Sequence, residues 1–116
     1  MAYIVIGDDD QEQLVFMQEI LEELGHEVSA AQYLNVMVAL AANEKPDVVI
    51  SDFDYKMFAG ATYANGLEGL LAIRESSPDT RLILMSALHR PEATAAGIEQ
   101  WDKARVLEFK SEMEKL

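Results

Sequence analysis

The sequence predicts an α/β domain, a parallel sheet covered on both faces by helices. Short apolar runs of strand length alternate with segments whose apolar residues recur at helical spacing. The runs are continuously apolar, as in Val48-Val49-Ile50 and Leu82-Ile83-Leu84-Met85, the pattern of strands buried on both faces. No internal repeat, linker or low-complexity tract interrupts the alternation, so the 116 residues read as one domain over 1–116.

Each element has its own signal. Residues 3–7 form an apolar strand that ends in the acids Asp8-Asp9-Asp10. Gln11 to Leu24 reads as an amphipathic helix, because Leu14, Phe16, Met17, Ile20, Leu21 and Leu24 fall on helical spacing. Asp10 suits its N-cap and Gly25 its stop. A weak strand follows over His26–Ala30, then a helix from about Asn35 to Glu44, which Pro46 and Asp47 break before the strand Val48–Ser51. Gly66 precedes a helix over Leu67–Ser76, Pro78-Asp79 makes a turn, and 82–85 is the fourth strand. Pro91 opens a helix expected to run to about Trp101, Arg105–Phe109 is the expected fifth strand, and Ser111–Leu116 is a short final helix. Phe53 to Asn65 is the one long irregular stretch, a length that often marks a functional loop; Tyr55, Phe58 and Tyr63 on it are able to move or to pin it down.

Composition narrows the function. A formal net charge of −12 disfavours nucleic acid and anionic membrane as direct partners, since both are polyanions. With no cysteine there is no disulfide, thiolate metal site or thiol nucleophile. Half of the residues are hydrophobic, enough for a core, and neither a signal peptide nor a membrane span is legible. The expectation is a soluble, cytoplasmic, acidic domain.

Strand ends supply the candidate chemistry. In an open parallel sheet, sites form at the carboxyl ends of strands, near the switch point between neighbouring first and third strands. Asp8 and Asp9 end the first strand and Asp52 the third; Ser86 follows the fourth and Lys110 the expected fifth. Asp9 and Asp52 suit a hard divalent cation, magnesium or manganese, with Asp8 holding it through water. Asp52 suits a nucleophile toward phosphorus, Ser86 a donor to a phosphoryl oxygen and Lys110 its ion-pair partner. The acids Glu19, Glu22 and Glu23 read as a solvated face, His26 and His89 as surface residues, and Trp101 as packing.

Four pieces in order, Ile4–Asp10, Lys45–Asp52, Asn65-Gly66-Leu67-Glu68 and Leu82–Ala87, resemble the receiver domain of two-component response regulators. The resemblance implies a flavodoxin-like doubly wound sheet of five parallel strands, (βα)5, in the order 2-1-3-4-5. It implies that Asp52 accepts a phosphoryl group from a histidine kinase or phosphotransfer protein, that Asp8 and Asp9 are the acid pair, and that the carbonyl of Asp54 completes a magnesium shell. Ser86 becomes the switch hydroxyl, and the partners are that phosphodonor and a downstream protein target or output domain. Such a module is no enzyme beyond its own phosphorylation and dephosphorylation.

The sequence departs from the family pattern in its second half. The loop after Asp52 is longer and lacks the usual proline, and Lys110 is followed by Ser111 instead of proline. Trp101-Asp102-Lys103-Ala104 stands where a glycine and acids are expected before the fifth strand, and the aromatic expected three residues before the lysine falls at Leu107. Two alternatives remain beside the receiver. One is a pseudo-receiver that binds proteins without phosphorylation. The other is a haloacid dehalogenase-like phosphohydrolase, suggested by Asp52-Phe53-Asp54.

Overall fold

The structure is a computed structural model and describes residues 1–56 and 60–116. Among these, strands and helices alternate from end to end: β1 (Tyr3–Gly7), α1 (Gln11–Glu23), β2 (Glu27–Ala31), α2 (Leu34–Glu44), β3 (Val48–Asp52), α3 (Gly66–Ser76), β4 (Arg81–Ser86), α4 (Pro91–Ala95), β5 (Glu99–Asp102) and α5 (Val106–Met113). The strands form one sheet in the order β2-β1-β3-β4-β5, all pairs parallel. That is the flavodoxin-like arrangement expected.

The continuously apolar strands serve two cores at once. Val5, Val49 and Leu84 pack with Leu34, Met37, Val38, Leu67, Leu70 and Ile73 beneath α2 and α3. Their neighbours Ile4, Ile6, Ile50, Ile83 and Met85 point the other way, onto Leu14, Leu21, Phe109 and Met113 of α1 and α5. Alternate side chains of one strand face opposite layers, so both faces must be apolar.

Local chemistry sets the helix ends. Asp10 caps α1, its carboxylate accepting from the backbone N–H of Glu12 and Gln13. Asn65 does the same for α3 through the N–H of Glu68, while the Glu68 side chain accepts from Ala64 N–H. Gly66 then runs so close to β3 that a Cβ there would overlap the carbonyl oxygen of Asp52, and its N–H donates to the Phe53 carbonyl over 2.7 Å. The start of α3 thus seats the end of β3.

The C-terminal third differs from the expectation. The helix opened by Pro91 stops at Ala95, because Gly97 turns the chain at φ 76° and Ile98 is buried. The fifth strand is therefore Glu99–Asp102 rather than Arg105–Phe109. Residues 106–113 are helical instead, with Val106, Phe109 and Met113 at helical spacing and the last two buried. β5 has no apolar run because it is a half-buried edge strand. Arg81 holds Glu99 through a two-pronged contact of 2.8 and 2.7 Å, and Trp101 meets Phe109 edge to face at 5.7 Å.

Candidate functional site

β1 and β3 lie side by side with Gly7 opposite Ser51, so the acids after one strand and at the end of the other emerge at the same sheet edge. One carboxylate oxygen from each of Asp8, Asp9 and Asp52 lies within 4.8 Å of the others. Asp8 is buried, and its Oδ1 accepts from Asp10 N–H at 2.9 Å. Asp9 Oδ2 accepts from Lys56 N–H at 2.9 Å, which ties the loop after β3 to the cluster.

A lysine closes the site, and it is Lys103. Its Nζ lies 3.0 Å from Asp8 Oδ2 and 3.0 Å from Asp52 Oδ1. Lys103 directly follows β5, and its N–H donates to the Ser86 carbonyl, so β4 and β5 aim it. Lys110, expected here, lies on α5 instead. Misplacing the fifth strand by six residues misplaced the lysine by a similar amount. The same shift moves the position three before the lysine from Leu107, exposed on α5, to Gln100 on β5. The glycine missed before the strand is Gly97.

The electrostatics follow from two anions sharing one ammonium. Burial alone would lower the Lys103 value, but the hydrogen bonds it donates to Asp52 and Asp8 outweigh that and raise it. Burial, with the Asp8 charge added, pushes the Asp52 carboxyl up to about 6, against the opposite pull of Lys103 and of the Phe53 N–H. Both partners therefore rise. The lysine sees two carboxylates, whereas Asp52 sees one cation, one anion and little water. Three carboxylates around one ammonium leave an excess of negative charge, and every donor is a hard oxygen. That donor set fits a divalent cation such as magnesium.

The remaining expected residues take distinct places. Ser86 ends β4, buried, with its Oγ accepting from Leu88 N–H at 3.3 Å. Asp54 turns its carboxylate outward, 80% exposed, to Arg90 at 3.5 Å, so it does not form an Asp-x-Asp pair with Asp52. Tyr55 folds inward past Gly7, where a Cβ would meet its hydroxyl and Met37. Its hydroxyl meets Ser51 Oγ at 2.9 Å, Ser51 donates to the Asp52 carbonyl, and burial drives the Tyr55 phenol above its usual range. Tyr55 and Tyr63 both pack on the core beside α2 and α3, so these aromatics pin the loop; Phe58 lies outside the described residues.

His89 is exposed as expected, but His26 is not: it is buried, its Nδ1 accepting from Ala2 N–H at 3.0 Å and its Nε2–H donating to Met113 O at 2.9 Å. A lone histidine carries no sequence signal for such a place. Lys103 did carry one, since Gly97 and the spacing of Val106, Phe109 and Met113 together leave only 98–102 for the strand.

Comparison with known proteins points the same way. The family model described as "Response regulator receiver domain" matches residues 4–108. PilH of Pseudomonas aeruginosa is 37% identical over 79 residues, 68% of this chain and 58% of that protein. The chain thus spans less than two thirds of that relative's length. The crystallised chemotaxis protein CheY4 of Vibrio cholerae superposes with a TM-score of 0.72 at 26% identity, over 87% of this chain and 84% of that one. The fold is also that of response regulator TrrA of Thermotoga maritima, solved in complex with Mg(2+)-BeF, at a TM-score of 0.78 and 22% identity over 97% of each chain.

Proposed function

Because the chain belongs to the response regulator receiver domain family, we propose that it is a phosphoacceptor in two-component signalling, with Asp52 taking a phosphoryl group from a phosphohistidine of a kinase or phosphotransfer protein. The observation that carries the reading is Lys103 held between Asp8 and Asp52, with Asp9 in the same cluster. No group of this chain then acts on an outside substrate; the chemistry is confined to its own phosphorylation and dephosphorylation.

The residues divide the work. Asp52 Oδ1 accepts from Phe53 N–H at 2.8 Å and faces Lys103, which leaves Oδ2 as the attacking oxygen. Its lone pair forms the O–P bond as the P–N bond breaks, and the imidazole keeps that electron pair and takes a proton from solvent. Lys103 then pairs with a phosphoryl oxygen and the Ser86 hydroxyl donates to another. Asp8, Asp9, Asp52 and the carbonyl of Asp54 are the groups to hold magnesium or manganese, which supplies charge neutralisation for the entering phosphoryl oxygens. TrrA, a response regulator with the same fold, was itself solved in complex with Mg(2+)-BeF.

A surface for the donor lies alongside. The cavity at Asp52 and Lys103 is walled by Phe16, Met17 and Val106, while Val15 and Phe16 on α1 and Leu107 on α5 remain exposed. This apolar rim suits a protein donor that must bring its histidine to Asp52. Phosphorylation then alters binding to a protein target by population shift.

The test is incubation with acetyl phosphate and magnesium, followed by mass spectrometry. One phosphoryl group on Asp52, absent in Asp52→Asn and slowed in Lys103→Ala but not in Lys110→Ala, is the expected result. Failure of the native chain to take up the group would hand the function to the phosphorylation-independent interaction domain. Repeated turnover of a small phosphomonoester would favour the phosphohydrolase.

A further inference from the structure

One arginine outside the acid cluster touches both residues that follow Asp52. The guanidinium carbon of Arg90, the residue just before α4, lies 3.8 Å from the ring centroid of Phe53. Its Nη2 is 3.5 Å from Asp54 Oδ2. Only 24% of this charged side chain is exposed, and among the described residues its Nε is buried without a hydrogen-bond partner. Stacking therefore sets its position more than hydrogen bonding does. The magnitudes agree: a partly desolvated cation–π pair is worth about 1–2 kcal/mol, whereas an ion pair to a largely exposed carboxylate is worth roughly 0–1.

The backbone of the same residue reaches the other side. Arg90 N–H donates to Gln100 Oε1 at 2.9 Å, and Gln100 Nε2 donates to Thr94 Oγ1 at 2.8 Å. At the near end, Phe53 supplies the N–H that binds Asp52 Oδ1. A contiguous path thus runs from Asp52 through Phe53 and Arg90 to β5 and α4. It ends at Gln100, whose amide oxygen accepts from Arg90 and whose amide nitrogen donates to Thr94.

We propose that Arg90 is a positioning residue: its stack on Phe53 holds the Phe53 N–H on Asp52, and its backbone carries any displacement of residues 52–54 to Gln100 and Thr94. The inference rests on the receiver reading for its consequence, phosphoryl transfer, but not for the coupling itself.

The coupling is tested first without phosphorylation. Phe53→Leu removes the ring, and nuclear magnetic resonance follows the Gln100 side-chain amide and the Thr94 backbone amide. A clear shift of both in the native background, falling roughly fivefold or more in an Arg90→Ala background, is expected. Equal shifts in the two backgrounds would overturn the proposal. Next, beryllofluoride and magnesium are added as a phosphoryl mimic. Binding at Asp52 should persist in Arg90→Ala while the response at Gln100 and Thr94 is lost; an undiminished response again overturns it. If the native chain does not take up the mimic, the receiver reading fails and the first measurement alone decides the coupling. Phosphorylation by acetyl phosphate should slow about fivefold or more in Arg90→Ala. Lysine at 90 keeps the charge but not the planar stack, so Arg90→Lys should not restore the rate; native rates in both variants count against the stack. Should Arg90→Ala fail to fold, Arg90→Lys serves in its place for all three readouts.

Discussion

Asp52 shows how a buried carboxylate can oppose folding. With its carboxyl held at about 6, against an ordinary value of 3.8, the folded chain keeps the Asp52 proton more tightly than the unfolded chain does. By linkage, the stability this group contributes is fully present below pH 3.8 and is lost as pH rises through about 6. At neutral pH the ionised Asp52 therefore disfavours the fold. Asp52→Asn is expected to raise the melting temperature at pH 7, by an amount worth about 1–3 kcal/mol, and to flatten the loss of stability between about pH 4 and pH 6. Equal melting of native and variant protein at pH 7 would contradict the burial argument. Lys103 offsets part of the repulsion but serves two carboxylates, so relief is incomplete.

At the scale of elements, the join between β3 and α3 helps to position Asp52. Gly66 opens α3 in contact with the Asp52 carbonyl, and its N–H is spent on Phe53. A methyl group at 66 has nowhere to go without moving backbone, and overpacking of this kind costs about 1–3 kcal/mol. Gly66→Ala is expected to lower stability by that amount in chemical denaturation and to slow acetyl phosphate labelling as well, since β3 must shift with α3. Gly60→Ala is the control: its Cβ would meet no atom of the described residues, Asp52 included, but φ 85° makes it a strained site. It should cost stability without a comparable loss of labelling. Loss of labelling in both variants, or in neither, would detach the glycine at 66 from the site.

Over the whole molecule, the two ends of the chain are tied at the opposite edge from the acids. His26, buried, accepts from Ala2 N–H with one nitrogen and donates to the Met113 carbonyl with the other. One side chain thereby joins the start of β1 to the end of α5. His26→Ala leaves the Ala2 N–H without its partner and takes from the Met113 carbonyl one of its two donors, the other being Leu116 N–H, so a loss of about 1–3 kcal/mol in urea unfolding is expected. Because the site lies elsewhere, phosphorylation by a small donor should be unaffected below the new transition. The acid cluster gives the complementary whole-molecule readout. A divalent cation bound only by the folded chain raises stability by mass action, about 2.7 kcal/mol at a hundredfold excess over its dissociation constant. Magnesium should therefore raise the melting temperature of the native chain, and the gain should shrink in Asp9→Ala and return to zero once the ion is chelated.

Much of this was written in the sequence, for a physical reason. Apolar runs buried on both sheet faces leave a continuous signal, so β1, β3 and β4 and the acids that end them, Asp8, Asp9 and Asp52, are legible from order and spacing alone. Caps are local as well, and Asp10 declares the helix it begins. What only the tertiary structure decided depends on contacts between residues far apart in the chain. β5 is a polar edge strand whose Glu99 is tolerated because Arg81 meets it from β4, a pairing no local window contains. Helical spacing downstream read as a strand once that edge was overlooked, and the lysine moved with it from Lys103 to Lys110. His26 joins residues 2 and 113, and Arg90 joins residue 53 to residue 100; neither has a periodicity, a cap or a motif to reveal it. Strand-end acids follow from where the chain stops being apolar, whereas the cation that faces them follows from which strand lies next to which.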